Sequence, residues 1–163
     1  MKSILMSLSP HECYEMIHNQ KQAILRKNHP ITNDTIKCYI YCTNGRENNV
    51  LIRDTNNALA LIKNDQIIDT HRIMNQSVIG EFTCTKTEFF ADHNKNIPDN
   101  IRNELDFDKK FLGAKFQYAW FITNMVIYEN PKELSYFRCD STNAIFTRPP
   151  LTWNYCRKSS ETN

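Results

Sequence analysis

The run that most constrains this chain is Lys115 to Tyr128, Lys-Phe-Gln-Tyr-Ala-Trp-Phe-Ile-Thr-Asn-Met-Val-Ile-Tyr. Aromatic and β-branched residues fill it, and its middle is apolar on both alternating faces. That pattern describes a strand buried between two layers, not a half-solvated edge. Such a strand needs neighbours, and the sequence supplies them. Ile36 to Cys42 alternates, with Cys38, Ile40 and Cys42 on one face and Lys37, Tyr39 and Tyr41 on the other. Val78 to Phe90 is a second long strand, Ile4 to Leu8 a short buried one, and Ala23 to Lys27 another before the break at Asn28-His29-Pro30. Thr147 to Cys156 reads as the last strand, entered through Arg148-Pro149-Pro150.

Helical signals are few. Ser9 followed by Pro10 and then Glu12 is a capping box with proline at the first helical position, so a helix is expected from Pro10 to about Asn19. Cys13, Met16 and Ile17 form its apolar face, with Glu12, Glu15 and Gln20 elsewhere. A short helix is expected after Pro98, and a helical turn at Pro131-Lys132-Glu133-Leu134 with Pro131 leading. Asn44-Gly45 and Asn56-Asn57 mark turns, and Asn49 to Asp69 reads as short strands or a hairpin. Many strands with one firm helix and no strand–helix alternation make an α+β domain built on a curved sheet or barrel.

At 163 residues the chain fits one domain, and nine Phe, seven Tyr and two Trp supply a core. A chain of this length buries roughly 70% of its unfolded surface, enough to fold without disulfides or metal. The expected organisation is a single domain over 1–158 with an insertion around 56–75, followed by a flexible polar tail over 159–163. The net charge of +2 is too mild to argue for nucleic acid by itself, so that case rests on where the charges sit.

The start, Met1 to Pro10, does not read as a signal peptide, and no run reaches the ~18 apolar residues of a membrane span. A cytoplasmic protein without membrane contact is expected, its thiols reduced. The cysteines at 13, 38, 42, 84, 139 and 156 fit that reading. Cys38 and Cys42 on one strand lie roughly 13 Å apart, too far for a disulfide. No metal is expected, because ligand spacing is lacking, and no cofactor, because glycine stands only at 45, 80 and 113 and builds no phosphate loop.

The opening Ile4-Leu5-Met6-Ser7-Leu8-Ser9-Pro10, the following helix, and Ile17 to Lys27 resemble the ASCH family of the PUA-like superfamily. Members open with a strand ending near proline, then a helix, then a pattern close to Gly-x-Lys-x-x-Glu-x-Arg. Lys21 stands at the family lysine and Arg26 at the arginine. Val78-Ile79-Gly80-Glu81-Phe82, Tyr118 to Ile122 and Arg148 to Trp153 resemble a bacterial and prophage branch. The resemblance covers about 3–56 and 76–156 and implies a PUA-like (ASCH-type) curved mixed sheet or small barrel with a few flanking helices. Two positions depart from the pattern. Asn19 replaces the family glycine, where a left-handed turn is expected, and Ile24 replaces the glutamate.

The resemblance implies an RNA, modified-base or small-nucleotide ligand, held in a basic cleft between the first helix and the sheet. Lys21 and Arg26 would grip phosphate or carbonyl oxygens, with Lys27, Arg148 and Trp153 as further contacts. Arginine forks suit phosphate and aromatic rings stack on bases. Since Ile24 cannot move a proton, binding without catalysis is the leading expectation. A nucleoside amidohydrolase or ribonuclease built on Lys21 is the alternative, its carboxylate drawn from Glu81 or Glu88. A third reading is a phage or mobile-element accessory protein that grips a host protein or sequesters a nucleotide signal. The oligomeric state is not legible in the sequence.

Overall fold

The structure, a computed structural model, describes residues 1–32, 34–91, 99, 102 and 116–160. The elements run β1 (Ser3–Leu8), α1 (Pro10–His18), β2 (Ala23–Arg26), β3 (Ile36–Cys42), β4 (Asn49–Arg53), β5 (Leu59–Lys63), β6 (Arg72–Ile73), β7 (Ser77–Ala91), β8 (Phe116–Lys132), β9 (Phe137–Cys139) and β10 (Trp153–Lys158). Single 3-10 turns cover Asn64–Gln66 and Leu134–Tyr136. Among the described residues no helix is long and apolar enough to cross a membrane. The helix expected after Pro98 falls almost wholly outside the described residues.

Seven strands form one mixed sheet in the order β2-β8-β7-β3-β1-β10-β9, and β5-β4-β6 form a small antiparallel sheet. The β1–β3 pair is parallel, because α1 intervenes as a crossover, and the other ladders are antiparallel. Alternation places Ile4, Met6, Cys38, Ile40, Phe82 and Trp120 on the face that α1 covers with Cys13 and Met16. The opposite face carries Leu5, Tyr39, Tyr41, Val78 and Phe137. β3 therefore divides as its sequence pattern requires. β8 is the long strand, but it is buried between two layers only from about Ala119 to Ile122, with Trp120 fully buried; from Thr123 on it opens to solvent and Val126 is 52% exposed.

Of the two shapes expected, barrel or curved sheet, the sheet is the one observed: β2 and β9 are its edges and no ladder joins them. Side chains bridge the gap instead. The Trp120 indole donates to the Asn28 carbonyl at 3.1 Å, and the Trp153 indole donates to Asn28 Oδ1 at 2.9 Å. The two indoles meet edge to face at 5.6 Å. A curled sheet thus has β8 and β10 tied across its open side through Asn28, in the turn after β2.

Several local readings are corrected. β10 begins at Trp153 rather than Thr147, because Arg148-Pro149-Pro150 leaves few amide donors for a ladder. β10 runs through Arg157 and Lys158, which pair with Arg138 and Phe137 of β9. Pro131 lies inside the end of β8, which runs to Lys132, instead of leading a helical turn, which comes later at Leu134–Tyr136. The small sheet runs from Asn49 to Ile73 and is anchored to β8. Arg53 donates to the Tyr128 carbonyl at 3.0 Å, and Arg72 donates to the Glu129 carbonyl at 2.7 Å.

Candidate functional site

Helix α1 begins with the expected capping box: Ser9 Oγ accepts from the Glu12 amide at 3.2 Å, and Glu12 Oε2 accepts from the Ser9 amide at 2.9 Å. At the far end Asn19 keeps an ordinary φ of −86°, and Gln20 takes the left-handed conformation at φ 47°. The turn needed at the family glycine therefore falls one residue later. It sends the chain back along α1, which puts Lys21 and Arg26 against the carboxylates of the same helix.

Lys21 Nζ lies 3.0 Å from Glu15 Oε2, and Arg26 Nη1 lies 3.4 Å from Glu12 Oε1. Both cationic side chains are only 13% exposed. Arg26 also donates to the Leu25 carbonyl at 2.9 Å, and His11 Nε2 approaches Glu15 Oε1 at 3.7 Å. The acid missing at Ile24 is thus supplied from the helix, not from Glu81 or Glu88. Ile24 is buried opposite Trp120, and α1 supplies the carboxylates from one and two turns into the helix. The signal was Glu12 and Glu15 at i and i+3, a spacing that sets both acids on one helix face.

Lys21 borders a groove of about 400 Å³ between the end of α1 and β8. Its floor is Ile17, Ile122, Met125 and Ile127, and its polar rim is Gln20, Lys21, Gln22, Thr123 and Asn124. Asn124 sits at φ 50°, in the left-handed region asparagine tolerates, which gives β8 a kink beside the rim. Among the described residues Lys21 is the one ionisable residue in this lining, and Glu15, 3.0 Å from its Nζ, balances its charge. A second groove of about 370 Å³, at the start of α1, is lined by His11, Glu12, Arg46 and Glu47 among others, and its acids offset its cation.

The other expected site residues do not converge here. Arg26, Lys27, Arg148 and Trp153 line neither groove. Lys27 and Arg148 are exposed. Arg148 rides a segment pinned to β1, where the Ser7 amide donates to the Thr152 carbonyl at 2.8 Å and Ser7 Oγ to the Pro150 carbonyl at 2.6 Å. Trp153 packs against the core and spends its N–H on Asn28.

Neither alternative carboxylate reaches Lys21. Glu88 pairs with Lys86 at 2.5 Å. Glu81 shares the face of Tyr39, away from α1, where it accepts from Lys37 Nζ at 2.8 Å and from the Tyr128 hydroxyl at 2.5 Å. Burial opposes ionisation of Glu81, but the hydrogen bonds from Lys37 and Tyr128 outweigh it and hold the carboxyl below its usual range. The same burial and contact push the Tyr128 phenol up. This trio escaped the sequence reading because its members come from three strands. Among the described residues no cluster of three His, Cys, Asp or Glu is arranged to hold a metal.

No protein-family model matches the chain, and a search of curated proteins finds no match. Solved structures do. The ASCH protein from Zymomonas mobilis is 16% identical, with 96% of this chain and 89% of that one covered at a TM-score of 0.53. Two single-substitution variants of it give TM-scores of 0.53 and 0.52, at 16% and 15% identity, covering 97% and 96% of this chain and 92% and 89% of theirs. A capped helix crossing between parallel β1 and β3, on a curled mixed sheet spanning nearly the whole chain, is thus the arrangement of a known fold. This protein has the PUA-like fold of ASCH-domain proteins, with its sheet left open.

Proposed function

We propose that this protein binds a nucleotide, free or within single-stranded RNA, in the groove between the end of α1 and β8. The observation that carries the reading is the lining: an apolar floor, three amide side chains and a hydroxyl on the rim, and Lys21 as the one ionisable group among the described residues. Amide and hydroxyl groups match the donor and acceptor edges of a base, the apolar floor takes its ring, and Lys21 meets phosphate or a carbonyl oxygen. The volume falls within the range of small-ligand sites, about 300–1,000 Å³. The PUA-like fold supports an RNA-type ligand in general terms. Glu15 anchors the lysine, fixing its direction at the expense of some of its field.

Lys21→Ala tests the assignment against nucleoside monophosphates and short single-stranded RNAs. A hydrogen bond to a charged group contributes about 1.5–3 kcal/mol, so affinity should fall roughly 10- to 100-fold. Unchanged affinity across the panel would reject the groove.

One observation favours a second reading, hydrolysis of an acylated cytidine or of RNA. The 3.0 Å contact from Lys21 to Glu15 gives the lysine an acid partner that Ile24 cannot provide. Glu15→Gln separates the two. Binding alone should tighten, because Lys21 loses its internal counter-charge, whereas hydrolysis should be lost with its proton acceptor.

A further inference from the structure

β9 and β10 pair antiparallel with Cys139 directly opposite Cys156. The Cys139 amide turns away from β10 and donates to the Ala144 carbonyl at 2.8 Å, while the next amide, of Asp140, donates to the Tyr155 carbonyl at 3.1 Å. Antiparallel ladders alternate, so the cysteine pair occupies a non-hydrogen-bonded position. There Cα atoms lie about 4.5 Å apart and both side chains leave the same face. Disulfides span Cα separations of about 4.4–6.8 Å, so bridging this pair takes side-chain rotation without backbone rearrangement.

The two thiols differ in kind. Cys156 is 4% exposed, in the cluster with Leu5, Tyr39 and Phe137. Cys139 is partly exposed at the mouth of the Asp140–Asn143 turn, its sulfur 3.3 Å from Ser141 Oγ and 3.8 Å from the Asn154 amide nitrogen. Hydrogen bonds from the Ser141 and Thr142 hydroxyls lower the Cys139 thiol to about 7. Burial drives Cys13 and Cys38 well up and Cys84 to about 11. A thiolate that is accessible at neutral pH beside a shielded thiol is the arrangement of an attacking and a resolving cysteine.

We propose that Cys139 is an oxidative modification site for hydroperoxides, with Cys156 as its resolving partner. The Cys139 thiolate attacks one peroxide oxygen, the O–O bond breaks, and the departing hydroxide takes up a proton, leaving a sulfenic acid and water. Cys156 sulfur then attacks the sulfenic sulfur, the S–S bond forms, and hydroxide leaves with the Cys156 proton as a second water. Two thiols lose two electrons to one hydrogen peroxide, giving one disulfide and two waters. The bridge staples the edge strand β9 to β10.

The test is peptide mapping without reductant after brief exposure of the whole protein to stoichiometric hydrogen peroxide. The expected product links the Cys139 and Cys156 peptides. In Cys156→Ser a dimedone adduct should accumulate on Cys139. In Cys139→Ser thiol loss should slow about tenfold or more, since the remaining thiols are mostly protonated near neutrality. Wild-type protein oxidised first at another cysteine, or Cys139 joined to a residue other than Cys156, would overturn the assignment.

Discussion

Replacing Trp153 by alanine should destabilise the protein by about 3 kcal/mol, the low end of the usual cost for a buried aromatic, because this ring is only partly buried. The components can be read from its contacts. Its ring meets Trp120 at 5.6 Å and Tyr155 at 5.5 Å, both edge to face, and each such pair contributes about 0.5–1.5 kcal/mol. The 2.9 Å bond to Asn28 adds about 1 kcal/mol. Trp153→Phe keeps most of the ring contacts and loses the donor, so it should cost about 1 kcal/mol. Asn28→Ala should cost about the same, since it removes Oδ1 while the backbone carbonyl that serves Trp120 stays. If one hydrogen bond accounts for both, the double variant should show a coupling of about 1 kcal/mol. Urea unfolding gives all four values, with Trp120 fluorescence as the probe where Trp153 is absent. Strict additivity of Asn28→Ala and Trp153→Phe would refute the account of how the open side is bridged. A Trp153→Ala loss below about 0.5 kcal/mol would do the same, being the size of an ordinary surface substitution. A stable Trp153→Ala variant with weakened RNA binding would restore the stacking role expected from the sequence.

Gly80→Ala should cost about 3 kcal/mol in the same assay: a Cβ there meets the Val126 carbonyl oxygen and sits 2.8 Å from Ile127 Cδ1, so the β7–β8 backbone must move. The Glu81 trio carries a pH signature. Its folded-state pKa is depressed, so its contribution is present above the unfolded value of about 4.3 and is lost as pH falls through the folded value. Glu81→Gln should lower stability at pH 7 by about 2 kcal/mol and flatten the acid decline below about pH 4, read from denaturation midpoints across pH; equal acid slopes in the two proteins would count against it.

What the sequence discloses follows the range of the interaction. Ser9, Pro10 and Glu12 act within one helical turn, so the start of α1 is legible to the residue. The alternation of Ile36 to Cys42 is equally local and sorts correctly onto two faces. β9 is three residues long, below the length at which periodicity speaks, so its pairing with β10 goes unseen. The resemblance singles out Lys21, yet the acid that pairs with it lies upstream on the helix, at Glu15, while the family pattern pointed downstream to Ile24. The Trp153–Asn28 contact joins residues 125 positions apart, and nothing local marks it. It ties β10 to the turn after β2 across the face that α1 covers.

The arginines that hold the small sheet have a bearing on the groove. Arg53 and Arg72 face each other across β4 and β6 and grip successive carbonyls, those of Tyr128 and Glu129. Asn124, Met125 and Ile127, a few residues earlier on that strand, line the groove at the end of α1. Any displacement of β8 on filling the groove must therefore pull on two guanidinium anchors, one of them buried. A nucleotide bound in the groove is therefore expected to change amide exchange in the small sheet, whose residues do not line that groove; unchanged exchange at saturation would count against the coupling.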